Sequence, residues 1–131
     1  MAILVTGATG FVGFATVRRL LRAGHDVIAT GRRAESEWEA GVGTVSLIHG
    51  DLRDPAFARR AVQDADAVVH LAALTRARES FDQPDEYGAV NVGGTENLLA
   101  ALAETGRVLP FVHSSTAVVY GTPEQQPIRE D

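Results

Sequence analysis

The sequence predicts an α/β protein built on a doubly wound parallel sheet. Two observations carry that prediction. Short apolar runs closed by turn residues alternate with segments whose apolar residues recur at helical spacing, as in parallel strands joined by crossover helices. The first of those runs also opens directly onto a glycine-rich loop and then a helix. Right-handed crossovers give the strand order 3-2-1-4-5, with the last strand or strands of such a sheet missing from these residues.

Each element has its own signal. Ala2 to Thr6 is a short apolar run ending in glycines, a buried strand. From Phe11 to Ala23, residues Phe14, Val17, Leu20 and Leu21 share one helical face, and Gly24 stops the helix. Asp26 to Thr30 is a second strand, residues 31 to 43 a polar loop or short irregular helix, and Thr44 to His49 a third strand. Asp54-Pro55 starts a short helix that runs to about Val62, with an acceptor side chain at the N-cap and proline where no amide partner is needed. Ala65 to Leu71 is a fourth strand. A long helix follows from about Pro84 to Thr105, with Tyr87, Val90, Gly94, Leu98, Ala101 and Leu102 in one stripe. Gly93 and Gly94 inside it cost about 1 kcal/mol each relative to alanine, which predicts close packing against another backbone. Pro110 to Ser114 is a fifth strand, and the tail from Gly121 is polar.

Composition narrows the function classes. The chain has 131 residues, 45% of them apolar, no cysteine and a formal charge of −5, which suits one domain over residues 1–131. No apolar run approaches the ~20 residues of a membrane span, and no basic leader precedes Ile3-Leu4-Val5. The acidic balance argues against nucleic acid as a partner. Without cysteine there is no disulfide or thiolate metal site, which favours a reducing compartment. A soluble, cytoplasmic domain is expected. All 12 basic residues are arginine, so no step that needs a lysine ammonium takes place within these residues.

The strongest motif is Thr6-Gly7-Ala8-Thr9-Gly10-Phe11-Val12-Gly13, set between a strand and a helix as a dinucleotide site requires. Gly7 allows the tight turn, Gly10 the approach of a pyrophosphate, and Gly13 the close packing of helix on sheet. Thr9, Phe11 and Val12 complete the loop and the helix N-terminus, whose amides and dipole favour an anion. The end of the second strand normally separates the two nicotinamide cofactors, an acid bonding a ribose hydroxyl and an arginine a 2′-phosphate. Here it reads Thr30-Gly31-Arg32-Arg33, with no acid before Glu35. That favours NADP over NAD, through Arg32 or Arg33; read alone, these are equally two solvated surface arginines.

These motifs, with Gly50-Asp51-Leu52-Arg53-Asp54, His70-Leu71-Ala72-Ala73, Asn91-Val92-Gly93-Gly94-Thr95, and Ser114-Ser115-Thr116 followed by Val119-Tyr120-Gly121, resemble the extended short-chain dehydrogenase/reductase family. That family includes NAD(P)-dependent sugar epimerases and dehydratases on a Rossmann-type fold, and the resemblance runs from residue 3 to about 131. It implies that Asp51 and Leu52 meet the adenine and that Leu71, Ala72 and Ala73 pass beside the cofactor. Read alone, Asp51 is equally a turn residue, and the other three are ordinary strand-end residues. It implies that Asn91 supports the site from inside its helix, with capping or surface exposure as the plain alternative. The resemblance also implies that Ser114 falls at the cofactor and that Thr116, four residues before Tyr120, carries the catalytic hydroxyl, with Ser114 and Ser115 the runners-up.

The family's general base is a tyrosine whose phenol, with a pKa of about 10, is lowered by a lysine four residues later. Four residues beyond Tyr87 and Tyr120 stand Asn91 and Glu124. The resemblance therefore places that pair beyond Asp131, together with the substrate-binding part. It implies the cofactor-binding portion of an NAD(P)-dependent epimerase, dehydratase or reductase acting on a nucleotide sugar or similar alcohol or carbonyl compound. A non-catalytic NADP(H)-binding sensor or scaffold is the alternative.

Weaker features stay open. His25, His49, His70 and His113 fall near strand ends without ligand spacing, so no metal site is expected. Arg76, Arg78, Glu79 and Ser80 either face the cleft or form a solvated loop, and Trp38 either covers the adenine or sits on the surface. The helix at 84–105 is a candidate homodimer surface, though a stripe that packs only on its own sheet reads the same.

Overall fold

The computed structural model describes residues 1–32, 38 and 42–130. Its elements are β1 (Ala2–Thr6), α1 (Phe11–Arg22), β2 (Asp26–Gly31), β3 (Val45–His49), α2 (Pro55–Val62), β4 (Ala67–His70), α3 (Ala77–Asp82), α4 (Pro84–Tyr87), a π-helical turn (Gly88–Gly93), α5 (Gly94–Glu104), β5 (Phe111–His113) and a 3₁₀ turn (Ala117–Tyr120). The five strands form one sheet in the order β3-β2-β1-β4-β5, parallel throughout, as the sequence predicts.

Strand alternation divides the core between the two faces of the sheet. Leu4, Ile28 and Val68 point to one face and pack with Phe57, Ala61 and Val62 of α2 and Leu98 and Ala101 of α5. Their neighbours Ile3, Val5, Val27, Ala29 and Ala67 point to the other, against Val17 and Leu21 of α1. The sheet is thus covered on both faces, and its carboxyl ends are left to the loops.

Helix ends follow the local chemistry. Gly24 adopts φ +83°, and the amides of Gly24 and His25 donate to the carbonyls of Leu21 and Leu20, so the last turn of α1 is closed. Asp54 caps α2, its Oδ1 accepting from the Ala56 amide at 2.9 Å, with Pro55 next in the chain. Replacing this cap, Asp54→Ala, should cost about 1 kcal/mol of stability and Asp54→Asn only a few tenths. Denaturant melts of the two variants check this.

The long helix departs from expectation. It is not continuous α-helix over Pro84 to Thr105, because Gly88–Gly93 winds as a π turn. The Asn91 side chain is committed to the backbone of Leu74, and Thr95 Oγ1 donates to the Asn91 carbonyl at 2.6 Å. A side-chain hydroxyl bonded to the carbonyl four residues back perturbs the regular helical ladder at this point. Of the two glycines, only Gly94 is crowded: a Cβ there would stand 3.3 Å from Leu52 Cβ, while one at Gly93 would meet nothing. Strand β4 ends one residue before Leu71, whose amide turns to Thr6 Oγ1 at 3.1 Å. Of the residues read from sequence as cleft-facing or a solvated loop, Arg78, Glu79 and Ser80 lie in the helix Ala77–Asp82, with Arg76 at its N-cap. Among the described residues no helix is long and apolar enough to cross a membrane.

Candidate functional site

A groove of about 650 Å³ runs along the carboxyl ends of the strands, where β1 meets its two neighbours and successive connections leave for opposite faces. One wall is the loop between β1 and α1. Gly7 there has φ +65°, and a Cβ on it would lie 2.8 Å from the Ala72 nitrogen, so only glycine lets the two backbones run this close. Gly13 lies under the same loop, where any side chain would run into the Gly7 carbonyl oxygen. The loop is tied back by Gly10 N to Gly7 O at 2.9 Å and by Ala8 N to Thr30 O at 2.9 Å. No side chain caps α1 at Gly10, so its first amides face the groove mouth without a side-chain acceptor. With the helix dipole, this is a seat for an anion.

At the β3 end the wall is Asp51 and Leu52. Asp51 Oδ2 accepts from Arg53 Nε at 3.0 Å and Nη2 at 2.7 Å, and Oδ1 accepts from the Arg53 amide at 2.9 Å. The Arg53 hydrogen bond holds the Asp51 carboxyl below its ordinary range, so it stays an anion with a fixed orientation. Arg53 Nη1 also donates to both Glu86 oxygens, at 3.1 and 3.0 Å, tying this wall to α4. From α5, Asn97 Nδ2 donates to the Leu52 carbonyl at 2.9 Å. Arg53 and Asn97 were not singled out from the sequence for this role; Arg53 meets Asp51 only two residues away, but its anchor Glu86 and the Asn97 contact to Leu52 lie 33 and 45 residues apart in the chain.

Arg32 lines the groove at the end of β2, its backbone carbonyl accepting from His49 Nε2 at 2.6 Å. Among the described residues the carboxylates lining the groove are Asp51 and Glu79. Beyond β4, Leu71, Ala72 and Ala73 form the facing wall, continued by Leu74, Arg76, Glu79, Tyr87 and Val90. Arg76 and Glu79 are thus groove residues. The Tyr87 hydroxyl lies 2.9 Å from the Arg76 carbonyl and 3.1 Å from Glu79 Oε2. Burial, and then the carboxylate, push that phenol above its ordinary value, the opposite of what a phenolate base requires.

Of the residues picked from sequence, the groove gathers Gly7, Thr9, Gly10, Phe11, Arg32, Asp51, Leu52, Leu71, Ala72 and Ala73. Val12 sits on the first turn of α1, exposed, and Gly13 is buried beneath the loop. Asn91 does not line the groove; its amide donates to and accepts from Leu74 at 3.0 and 2.7 Å. Ser114, Ser115 and Thr116 follow β5, exposed and outside the groove lining, with Thr116 Oγ1 accepting from Val118 N at 3.3 Å. Arg33 and Glu35 lie outside the described residues. Trp38 stacks on Phe14 at 6.0 Å, against α1 and away from the groove lining. The histidines do not converge on one ion: among the described residues no three metal-ligating side chains are grouped.

Comparison with known proteins agrees with this geometry. Residues 3–131 match the model of the NAD dependent epimerase/dehydratase family. The chain is 40% identical to UDP-glucose 4-epimerase of Streptomyces lividans over 131 residues, covering 97% of this chain and 39% of that protein. It is 41% identical to the enzyme of the same name from Halalkalibacterium halodurans, covering 99% of this chain and 39% of that one. Its fold superposes with a TM-score of 0.87 on UDP-glucose 4-epimerase from Bifidobacterium longum solved with NAD+ and UDP, at 34% identity, covering 100% of this chain and 42% of that one. The chain thus spans about two fifths of the length of these relatives.

Proposed function

The chain belongs to the NAD dependent epimerase/dehydratase family, and we propose that it forms the dinucleotide-holding part of an NAD(P)-dependent enzyme acting on a nucleotide sugar. The observation that carries this reading is the approach of Gly7 to Ala72, beside an uncapped helix N-terminus. That pairing leaves room for a pyrophosphate and aims backbone amides at it. Thr9, Gly10, Phe11 and Val12 hold the phosphates, while Asp51 accepts from the adenine amino group beside Leu52. Leu71, Ala72 and Ala73 flank the nucleotide and keep water from it. A bound pyridine dinucleotide supplies hydride acceptance and return.

The cofactor preferred is NADP. Arg32 faces the groove where a 2′-phosphate would lie, and the Asp51 carboxylate nearby is already engaged by Arg53. A guanidinium contact to a phosphate contributes about 1.5–3 kcal/mol. The relative from Bifidobacterium longum holds NAD+, so the choice is tested directly on this chain. Arg32→Ala should weaken NADPH at least about tenfold more than NADH. Equal loss of both cofactors contradicts the preference.

Past β5, Thr116 is the hydroxyl that would bond the reacting substrate oxygen, with Ser115 its neighbour and Ser114 nearer the nicotinamide end. The phenol–lysine pair is not among these residues, since all basic residues are arginine. The exposed Val92 and Leu99 of the helix at 84–105 support a homodimer through that helix, and the cysteine-free composition supports work in the cytoplasm.

A further inference from the structure

Among the described residues one buried titratable group has no part in the function proposed above. His70, at the end of β4, is 2% exposed and hydrogen-bonded at both ring nitrogens. Nδ1 lies 2.6 Å from Thr6 Oγ1, and Nε2 lies 2.9 Å from Thr95 Oγ1. Counting donors settles which nitrogen carries the proton. Thr6 Oγ1 already accepts from the amides of Leu71 and Ala72, at 3.1 Å each. Both its lone pairs are used, so its own proton goes to His70 Nδ1. A neutral ring then carries its hydrogen on Nε2 and donates it to Thr95 Oγ1. That hydroxyl passes its own proton on to the Asn91 carbonyl at 2.6 Å. The Asn91 side chain in turn clasps Leu74 through both its amide and its carbonyl.

The bonds form a closed circuit. One strap, from Thr6, holds Leu71 and Ala72; the other, from Asn91, holds Leu74; His70 and Thr95 join the two through the interior. The strapped segment is the groove wall that Gly7 approaches so closely.

We infer that His70 is a positioning residue: its neutral ring, with the proton on Nε2, links β1 to Thr95 of α5, and through it to Asn91 of the π turn, and so holds the Leu71–Leu74 wall at the spacing a dinucleotide needs. The wall's service to a cofactor rests on the reading above; the circuit itself does not. Burial lowers the ring's pKa to about 4, with His113 adding to it, which agrees with a neutral ring at pH 7.

Two measurements test this. Imidazole ¹⁵N NMR of the unmodified chain at pH 7 should show His70 protonated at Nε2 and bare at Nδ1; the other tautomer, or a charged ring, overturns the inference. Thr95→Val should speed amide exchange at Leu71, Ala72 and Leu74 relative to Val27 and Ala29 in β2, and Thr95→Ser should restore it. The same valine variant should bind NADH about tenfold more weakly, as for a hydrogen bond lost from a buried donor, with serine recovering the affinity. Unchanged exchange at the three amides in Thr95→Val overturns the inference. Failure of the unmodified chain to bind either NADPH or NADH, with the tautomer and exchange results as stated, removes the cofactor reading and leaves the circuit standing.

Discussion

Gly7→Ala should abolish dinucleotide binding and destabilise the fold by about 2–5 kcal/mol, the largest single-residue effect expected of the groove. Two costs add. Gly7 sits at φ +65°, where an L-residue loses about 1–2 kcal/mol. Its new methyl would also stand 2.8–2.9 Å from the nitrogen and Cα of Ala72, main-chain atoms that cannot swing aside. Relief requires β1 and the Leu71–Leu74 wall to part, which opens the space where a pyrophosphate would sit. Denaturant unfolding and a nucleotide titration of the variant check both halves. A variant that folds as well as the parent and still binds would show that the close approach has no role.

The second large effect is on acid stability. The folded His70 has a pKa lowered to about 4 by burial, against an ordinary value of 6.5. For a group whose folded pKa is depressed, the unfolded chain binds more protons between the two values. Stability is then full above about pH 6.5 and is lost as the pH falls towards 4. At 1.36 kcal/mol per unit, the loss across that window is about 3 kcal/mol. His70→Gln should be less stable than the parent at pH 7 and should show a much flatter dependence between pH 7 and 4.5. Parallel curves for the two proteins, measured by urea unfolding, would assign the acid lability elsewhere. Asp51 acts in the same direction at lower pH, since its carboxyl is held down by Arg53 and loses that bond only on protonation.

What was legible in the sequence was local. The order of the sheet follows from apolar runs alternating with helical stripes, and the phosphate loop from glycines at fixed offsets. The Asp54-Pro55 start of α2 and the Gly24 stop of α1 are likewise written in adjacent residues. What the sequence hid depends on residues far apart in the chain. His70 reads as one more member of the run Ala67-Val68-Val69-His70 until Thr6 and Thr95 arrive on either side of it, from positions 64 and 25 residues away. The π turn was invisible because the stripe from Tyr87 to Leu102 reads as one ordinary helix; the turn coincides with the bonds of Asn91 to Leu74 and of Thr95 to the Asn91 carbonyl. Asp51 alone could not be told from a turn residue, and it is Arg53, anchored by Glu86, that aims its carboxylate. The resemblance implies that Asn91 supports the site from inside its helix, and what no local pattern shows is that its side chain bonds the backbone of Leu74, 17 residues earlier.

The account stands or falls on whether this groove takes a dinucleotide. Titration of the chain with NADPH and with NADH, followed by nicotinamide fluorescence, tests that most directly, with circular dichroism of the same sample to show that it is folded. Saturable binding of both, tighter for NADPH and lost in Gly7→Ala, is the result predicted. A folded chain that binds neither would contradict it.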